Sequence, residues 1–455
     1  IITSMSRKRG DINNDGKVGT LDCSLMLAHI AGIDKYQITD QETLRAADIQ
    51  NTGNDKQSNN GTYLLNNLIG EENFPISSLF TYEFNRNGAS TVSYSGQTAR
   101  IEMAGEIYNA FQEETQTRDA IKNMYLNTNA TFPSGSSYTS GKQIWEKLGY
   151  DINESTGVKG ENVSVIQGDF NKYLDDYDSI VSSQKYLWEF NVVATPGLPG
   201  VLVDGSSNRK VNAKGLEINQ MATKSTIGAL SANNAMNYYL TKELLDTQDN
   251  TAPESGYTDM EHKWDEAFGY CLDPTTKLKD GEEVLVDILL HKYILKLGKY
   301  DLFEQAFYRG REAITAQAAK PEGERDYTVR DEQATILKGL IADVLIQKAK
   351  DYVGHAKDDL IASNDTLTGH IAHDLSEGYG FIYSLQFIAH VPGKSYTRAQ
   401  VEDMLDILTK GNGLWDLTHS DCQTLLDLIK NPSALHVAYF RTSDLATEST
   451  LEGNS

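Results

Sequence analysis

Cysteine is scarce. Three cysteines are spread over 455 residues, Cys23, Cys271 and Cys422, and none is spaced as a CxxC pair. A disulfide framework or a thiolate zinc site is therefore excluded as the basis of the fold. No apolar run approaches the roughly 20 residues that cross a bilayer. Ile1 to Gly10 carries Arg-Lys-Arg without an apolar stretch behind it, so no signal peptide is legible, and the chain is expected to start at a mature or truncated end. Cations are in deficit, 41 Lys and Arg against 64 Asp and Glu, a net charge of −23. That balance argues against nucleic acid as a partner and suits cations, basic surfaces or simple solubility. Catalytic strings are missing too. There is no His-Glu-x-x-His, no Gly-x-Ser-x-Gly and no cysteine in a nucleophile's setting. What remains, 39% hydrophobic and 9% aromatic residues, is enough for packed cores in two or more domains.

The amino-terminal segment reads as a calcium module. In Gly10–Asp22 the residues Asp11, Asn13 and Asp15 alternate, Gly16 permits a sharp turn and Asp22 closes a loop of twelve. With the Lys17 carbonyl, these are the oxygen donors that a hard Ca²⁺ ion requires. A second, poorer loop starts at Asp48, with Gln50, Thr52 and Asn60 at ligand positions, and Tyr63–Gly70 echoes Leu25–Gly32. The duplicated loop-helix pattern over 10–70 resembles a dockerin, an EF-hand-like module. The resemblance implies Ca²⁺ in the first loop, an uncertain second site, and a cohesin-like partner or self-assembly.

Residues 72–94 read as a linker with a short hairpin around Asn85-Arg-Asn-Gly88. From Ser95, a candidate N-cap, Ala99, Met103, Ile107 and Phe111 form an apolar stripe at helical spacing. Loops are expected at 128–145 and 151–168, and a polar helix at 171–187. Helices are expected at about 217–246, 258–271, 281–298, 300–319, 329–352, 366–389, 398–410 and 419–430, with strands confined to 75–95 and 190–215. The expected fold is mainly α: a small calcium module, then a large helical bundle over 95–440, and a polar tail at 441–455.

One short pattern occurs twice. His262-Lys-Trp-Asp-Glu-Ala-Phe-Gly-Tyr270 and His373-Asp-Leu-Ser-Glu-Gly-Tyr-Gly-Phe381 share His, three residues, Glu, a small residue, then aromatic-Gly-aromatic. On a helix, His and Glu four apart lie about 40° from each other on one face. If the two helices face one another, His262, Glu266, His373 and Glu377 form a set of nitrogen and oxygen donors suited to Fe, Zn or Mn, with His370 in reserve. Phe268, Tyr270, Tyr379 and Phe381 would then wall the pocket. The competing reading is a duplicated packing motif, with each His paired to its own Glu.

These strings, with Tyr94-Ser-Gly-Gln-Thr-Ala-Arg100 and Asn212-Ala-Lys-Gly-Leu-Glu217, resemble the bacterial DUF4856 family over about residues 76–440. That family is uncharacterised and distantly similar to imelysin-like proteins, helical bundles of the cell envelope associated with iron uptake. The resemblance implies a secreted, periplasmic or cell-surface binding protein that takes iron, another metal or an iron-containing ligand. Imelysin-like proteins carry Gly-x-His-x-x-Glu, whereas this chain has His-x-x-x-Glu with Gly369 directly before His370. The alternatives are an extracellular structural or adhesive component and, more weakly, a metallohydrolase.

Overall fold

The computed structural model describes residues 82–128, 132, 141–152, 158–279 and 282–431. Both calcium loops (Asp11, Asn13, Asp15, Lys17, Asp22; Asp48, Gln50, Thr52, Asn60), Cys23 and the 441–455 tail lie outside them.

The first described element is the expected hairpin. Strands β1 (Asn85–Arg86) and β2 (Ala89–Ser90) pair antiparallel across Asn87 and Gly88, whose φ values are 49° and 83°. Two successive positive φ angles suit Asn-Gly and match the twist of a tight hairpin. The segment read as a linker belongs to the bundle from Tyr82 on. The Tyr82 ring stacks on Phe268 at 3.8 Å, and its hydroxyl donates to Asp265.

Helix α1 (Ser95–Ala110) buries Met103 and Ile107, with Phe111 just beyond its end, and Tyr94 rather than Ser95 stands at its N-cap. Helix α2 is Arg118–Leu126 and α3 is Val163–Val181. The latter starts inside the stretch expected to be loop. It also buries Phe170, Tyr173, Leu174 and Tyr177, so two tyrosines join Phe and Leu on the apolar face of a helix that looks polar in sequence. After a single turn, α4 (Tyr186–Glu189), strands β3 (Gly200–Asp204) and β4 (Ser207–Val211) form a second hairpin.

The bundle is built around α5 (Ile218–Thr226) and its π-helical continuation, Ile227–Ala232 and Ala235–Tyr239. Every residue from Ile218 to Met236 is buried, although Asn219, Gln220, Thr223, Lys224, Ser225 and Asn234 are polar. Buried polar groups must find partners. Asn234 donates to the carbonyls of Lys147 and Leu230, and Asn237 to that of Phe387, which ties the wider helix to its neighbours.

Later helices fall where the sequence pattern places them, except that the one expected over 329–352 runs on to Ala362. They are α6 (Lys242–Leu245), α7 (Asp259–Leu272), α8 (Leu290–Lys296), α9 (Tyr300–Ala318), α10 (Thr328–Ala362), α11 (Gly369–Ser384), α12 (Arg398–Thr409) and α13 (His419–Lys430). Capping boxes at Thr258/Glu261, Thr397/Gln400 and Thr418/Asp421 start α7, α12 and α13. The expected helix over 281–298 needs correction. Strands β5 (Thr276–Lys279) and β6 (Glu282–Leu285) pair there instead, and α8 begins only at Leu290. They flank Asp280-Gly281 in the sequence, the dipeptide that favours a two-residue hairpin.

Helix α10 packs along α9, α11 and α13, while α11 lies on α5, and α7 on α1 and α9. A buried ionic cluster secures α7. Arg311 of α9 reaches Asp265 and Glu261, each at 2.9 Å, and Arg86 of β1 donates to Glu261 at 2.9 Å. Cys271 and Cys422 are buried free thiols. Among the described residues, no helix is long and apolar enough to cross a membrane.

Candidate functional site

The first copy of the repeated motif lies on α7. The Nδ1 of His262 lies 3.0 Å from the carbonyl of Ser93, just ahead of α1. A carbonyl only accepts, so Nδ1 carries the proton and Nε2 is left 4.0 Å from the Glu266 carboxylate. Burial holds the imidazole below its ordinary value, despite the Glu266 charge. Glu266 is crowded with donors: Lys263 at 2.6 Å, Gln97 of α1 at 3.2 Å and the Tyr239 hydroxyl at 3.2 Å. Burial opposes its charge, but the Lys263 ammonium outweighs this and keeps the carboxyl low. One turn on, Gly269 lets α1 come close, since a Cβ there would stand 2.6 Å from Tyr94 Cβ.

The second copy, on α11, repeats this docking with other partners. His373 Nδ1 donates to Glu217, the N-cap residue of α5, at 2.6 Å. Glu377 pairs with Lys224 of α5 at 2.9 Å, both side chains being nearly fully buried. Burial again opposes the charge, and Lys224 with the Tyr352 hydroxyl outweighs it, so the carboxyl falls to about 2. Gly380 admits α5, since a Cβ there would stand 2.7 Å from the Ser225 amide nitrogen.

Each motif helix thus docks on an earlier helix, α7 on α1 and α11 on α5, and the four donors are consumed in two separate networks. Among the described residues, no group of three metal-ligating side chains includes two of His262, Glu266, His373 and Glu377. The expectation of one shared cage is corrected accordingly. The physical reason is local: each His and Glu finds a nearer partner on the helix its own Gly admits. The four aromatics do not wall one pocket either. Phe268 is stacked in the core between Tyr82 and Phe307, and Phe381 between Tyr293 and Tyr352. Tyr270 is buried, its hydroxyl unpartnered. Tyr379 lines a cleft of about 570 Å³ with Tyr173, Tyr383 and Arg398, whose guanidinium is already held by Asp169 at 2.8 Å.

A metal-competent arrangement does exist one turn away, where α11 starts against the far end of α10. Asp359 of α10 with His370 and Asp374 of α11 each offer one ligand atom, all within 4.8 Å of one another. His370 lies 3.6 Å from Asp359 through Nε2 and 3.6 Å from Asp204 of β3 through Nδ1. Arg209 grips Asp204 at 2.9 Å, which fixes that carboxylate near the far side of the imidazole. His355 adds a second imidazole, its Nδ1 3.9 Å from Asp374. Asp374 is only 6% exposed and accepts no hydrogen bond from any of the side chains around it. Burial pushes its carboxyl above the ordinary value, and the charges of His370, His373 and His355 act against that push.

Of this set, only His370 was picked out from the sequence. His355 and Asp359, like His370 and Asp374, are spaced i,i+4, which gives two His-x-x-x-Asp pairs on consecutive helices. That signal was present but overshadowed by the longer duplicated string overlapping it. Asp204 lies on a hairpin more than 150 residues before α11 in the chain, and no local pattern announces it.

The model of one family, the domain of unknown function DUF4856, matches residues 80–434. The chain belongs to the DUF4856 family, and the matched span agrees with the described bundle. No curated protein and no solved structure shows a significant match.

Proposed function

We propose that this bundle is a binding protein that captures a divalent transition-metal ion at the α10–α11 seam, through Asp359, His370 and Asp374 with His355 in reach. The observation that carries this reading is the grouping of Asp374, a carboxylate only 6% exposed, within 4.8 Å of an imidazole and a second carboxylate. A buried charge is tolerated when a cation or hydrogen bonds neutralise it. Imidazole and carboxylate donors suit Fe²⁺, Zn²⁺ or Mn²⁺. Ligands about 2.1 Å from a tetrahedral ion stand about 3.4 Å apart, so the set closes by rotation of the exposed His370 side chain. Iron is the ion toward which the imelysin-like resemblance points.

The amino-terminal Asp11–Asp22 loop supports a second element of the proposal, a Ca²⁺-ordered, dockerin-like tether to a cohesin-like partner outside the cell. Calorimetric titration of the full chain, freed of metal, tests the bundle site with Fe²⁺ (anaerobically), Zn²⁺ and Mn²⁺. One ion is expected to bind per chain. Asp374→Asn and His370→Ala should abolish uptake, while His262→Ala should leave it intact. Unchanged uptake by Asp374→Asn would overturn the site. For the tether, Asp15→Ala should remove a Ca²⁺-binding event that the parent chain shows.

A further inference from the structure

A second cluster on the same α5–α11 core faces the opposite way in charge. Four lysine ammonium groups surround the ring of Tyr293. Lys224 of α5, Lys292 and Lys296 of α8, and Lys348 of α10 lie 5.6, 5.7, 5.6 and 5.8 Å from its centroid. Two carboxylates answer them: Glu377 takes Lys224 at 2.9 Å, and Asp351 takes Lys348 at 3.1 Å. Glu217, the next acid along the seam, is taken by His373. No acidic side chain pairs with Lys292 or Lys296 among the described residues, although the whole chain carries 64 acids against 41 bases.

This arrangement is costly unless something answers it. Lys292 and Lys296 stand i,i+4 on one short helix, a like-charge spacing that weakens a helix. Lys224 is 3% exposed and Lys348 is buried too, so solvent screens them poorly. The Tyr293 ring gives each ammonium some cation–π attraction, and Glu377 and Asp351 answer Lys224 and Lys348, which leaves the charges of Lys292 and Lys296 without a paired carboxylate. The Tyr293 hydroxyl is buried beside Glu377 and the Tyr352 hydroxyl. Burial, together with Lys224 and Lys296, pulls the Lys292 ammonium down to about 8, against the opposing charge of Glu377. Exposure is graded: Lys296 is open to solvent, Lys292 half-buried, and Lys348 and Lys224 lie beneath. A ligand therefore has a way in from the α8 side.

We propose that Lys292, Lys296, Lys348 and Lys224 form an oxyanion site around Tyr293. It takes a multiply charged phosphate or carboxylate group, with Lys292 and Lys296 as its free donors. The site is independent of the metal proposal, since it shares no ligand with Asp359, His370 or Asp374. Its ligand chemistry has two sources, and the test separates them. Full-length protein, stripped of metal by chelator and dialysed, is titrated at neutral pH and low ionic strength with inorganic phosphate and, separately, with citrate. Sodium chloride at matched ionic strength is the control.

Saturable binding of one of the two anions is expected, together with protection of Lys292 and Lys296 from reductive methylation. Stronger binding of phosphate would identify a phosphate ligand, and stronger binding of citrate a carboxylate ligand. Lys292→Gln and Lys296→Gln leave the buried ion pairs untouched, and each should weaken binding about tenfold, the effect of one lost charge-assisted contact. The double variant should keep the parent's melting temperature or exceed it, because repulsion is relieved. Chloride equal to both anions, or a double variant that binds like the parent, would overturn the proposal. Because metal is absent throughout, either outcome leaves the α10–α11 metal site to its own test.

Discussion

The two copies of the His-x-x-x-Glu motif use one docking rule to different ends. In both, a histidine bonds to the start of an earlier helix, a glutamate reaches that helix's side, and a glycine lets the backbones approach. On α7 the result is quiet. His262 is held neutral, and Glu266 shares Lys263 with neutral donors from Gln97 and Tyr239. On α11 the same frame carries full charges in the interior. Lys224 and Glu377 pair out of water, the His370/Asp374 cluster lies one turn toward the N-terminus, and Lys292 and Lys296 stand by the Tyr293 ring that Lys224 also approaches. Duplicated packing therefore does not imply duplicated function. The copy whose partner helix is wholly buried, α5, is the one around which unsatisfied charge accumulates.

The sharpest test of this contrast removes the cation from each copy. Lys224→Met leaves Glu377 charged and buried, and should cost about 3–5 kcal/mol in urea unfolding. Lys263→Met, beside a glutamate with two other donors and nearer solvent, should cost about 1 kcal/mol or less. Equal losses would erase the distinction between the copies.

Acid should separate them next. Glu377 titrates near 2 in the folded chain against an ordinary 4.5, so its contribution is fully present above pH 4.5 and is lost as pH falls toward 2. That gap corresponds to about 3 kcal/mol. The stability difference between the parent and Glu377→Gln should therefore shrink over that window. A difference independent of pH between 4.5 and 2 would contradict the buried pair.

The glycines give a smaller contrast. An added Cβ at Gly380 meets the backbone of α5, which cannot move aside, whereas at Gly269 it meets the Tyr94 and Gln97 side chains. Gly380→Ala should cost about 3 kcal/mol and Gly269→Ala about 1–2, both read as shifts in unfolding midpoint. Glu266→Gln, which keeps its shape and loses one charge-assisted bond, should cost about 1 kcal/mol, as little as Lys263→Met. A cost as large as that of Lys224→Met would mean that the α7 copy also depends on a buried charge.

Much of the bundle was legible because its signals are local. Threonine caps followed by Glu, Gln or Asp at the third helical position set the starts of α7, α12 and α13 within a residue of expectation. The exceptions have separate causes. Helix α3 carries Gln167, Gly168 and Asp169 among its first apolar residues, and Asp and Tyr intersperse the rest, so its buried face of Ile166, Phe170, Tyr173, Leu174 and Tyr177 is diluted in sequence. The β5–β6 hairpin was read as helix because Val284 and Leu285 run into the apolar start of α8.

From the residues alone followed the mainly helical class, the family resemblance, the duplicated motif and the i,i+4 pairing of its His and Glu. All of these depend on neighbours within a few positions, where spacing fixes geometry. Which helix each motif would meet was another matter. The chain offered the same string twice, and the string is equally good as half of a shared metal cage or as a lock onto another helix. The choice fell to packing. Gly269 admits α1 and Gly380 admits α5, and once those helices are seated, His262 and His373 have nearer acceptors than each other. Folding then gathered groups that no sequence window holds together: Asp204 of β3 with His370, and four lysines from three helices around Tyr293. Charges meet across a bundle according to where backbones can come close, and that is a property of the packed helices rather than of any one of them.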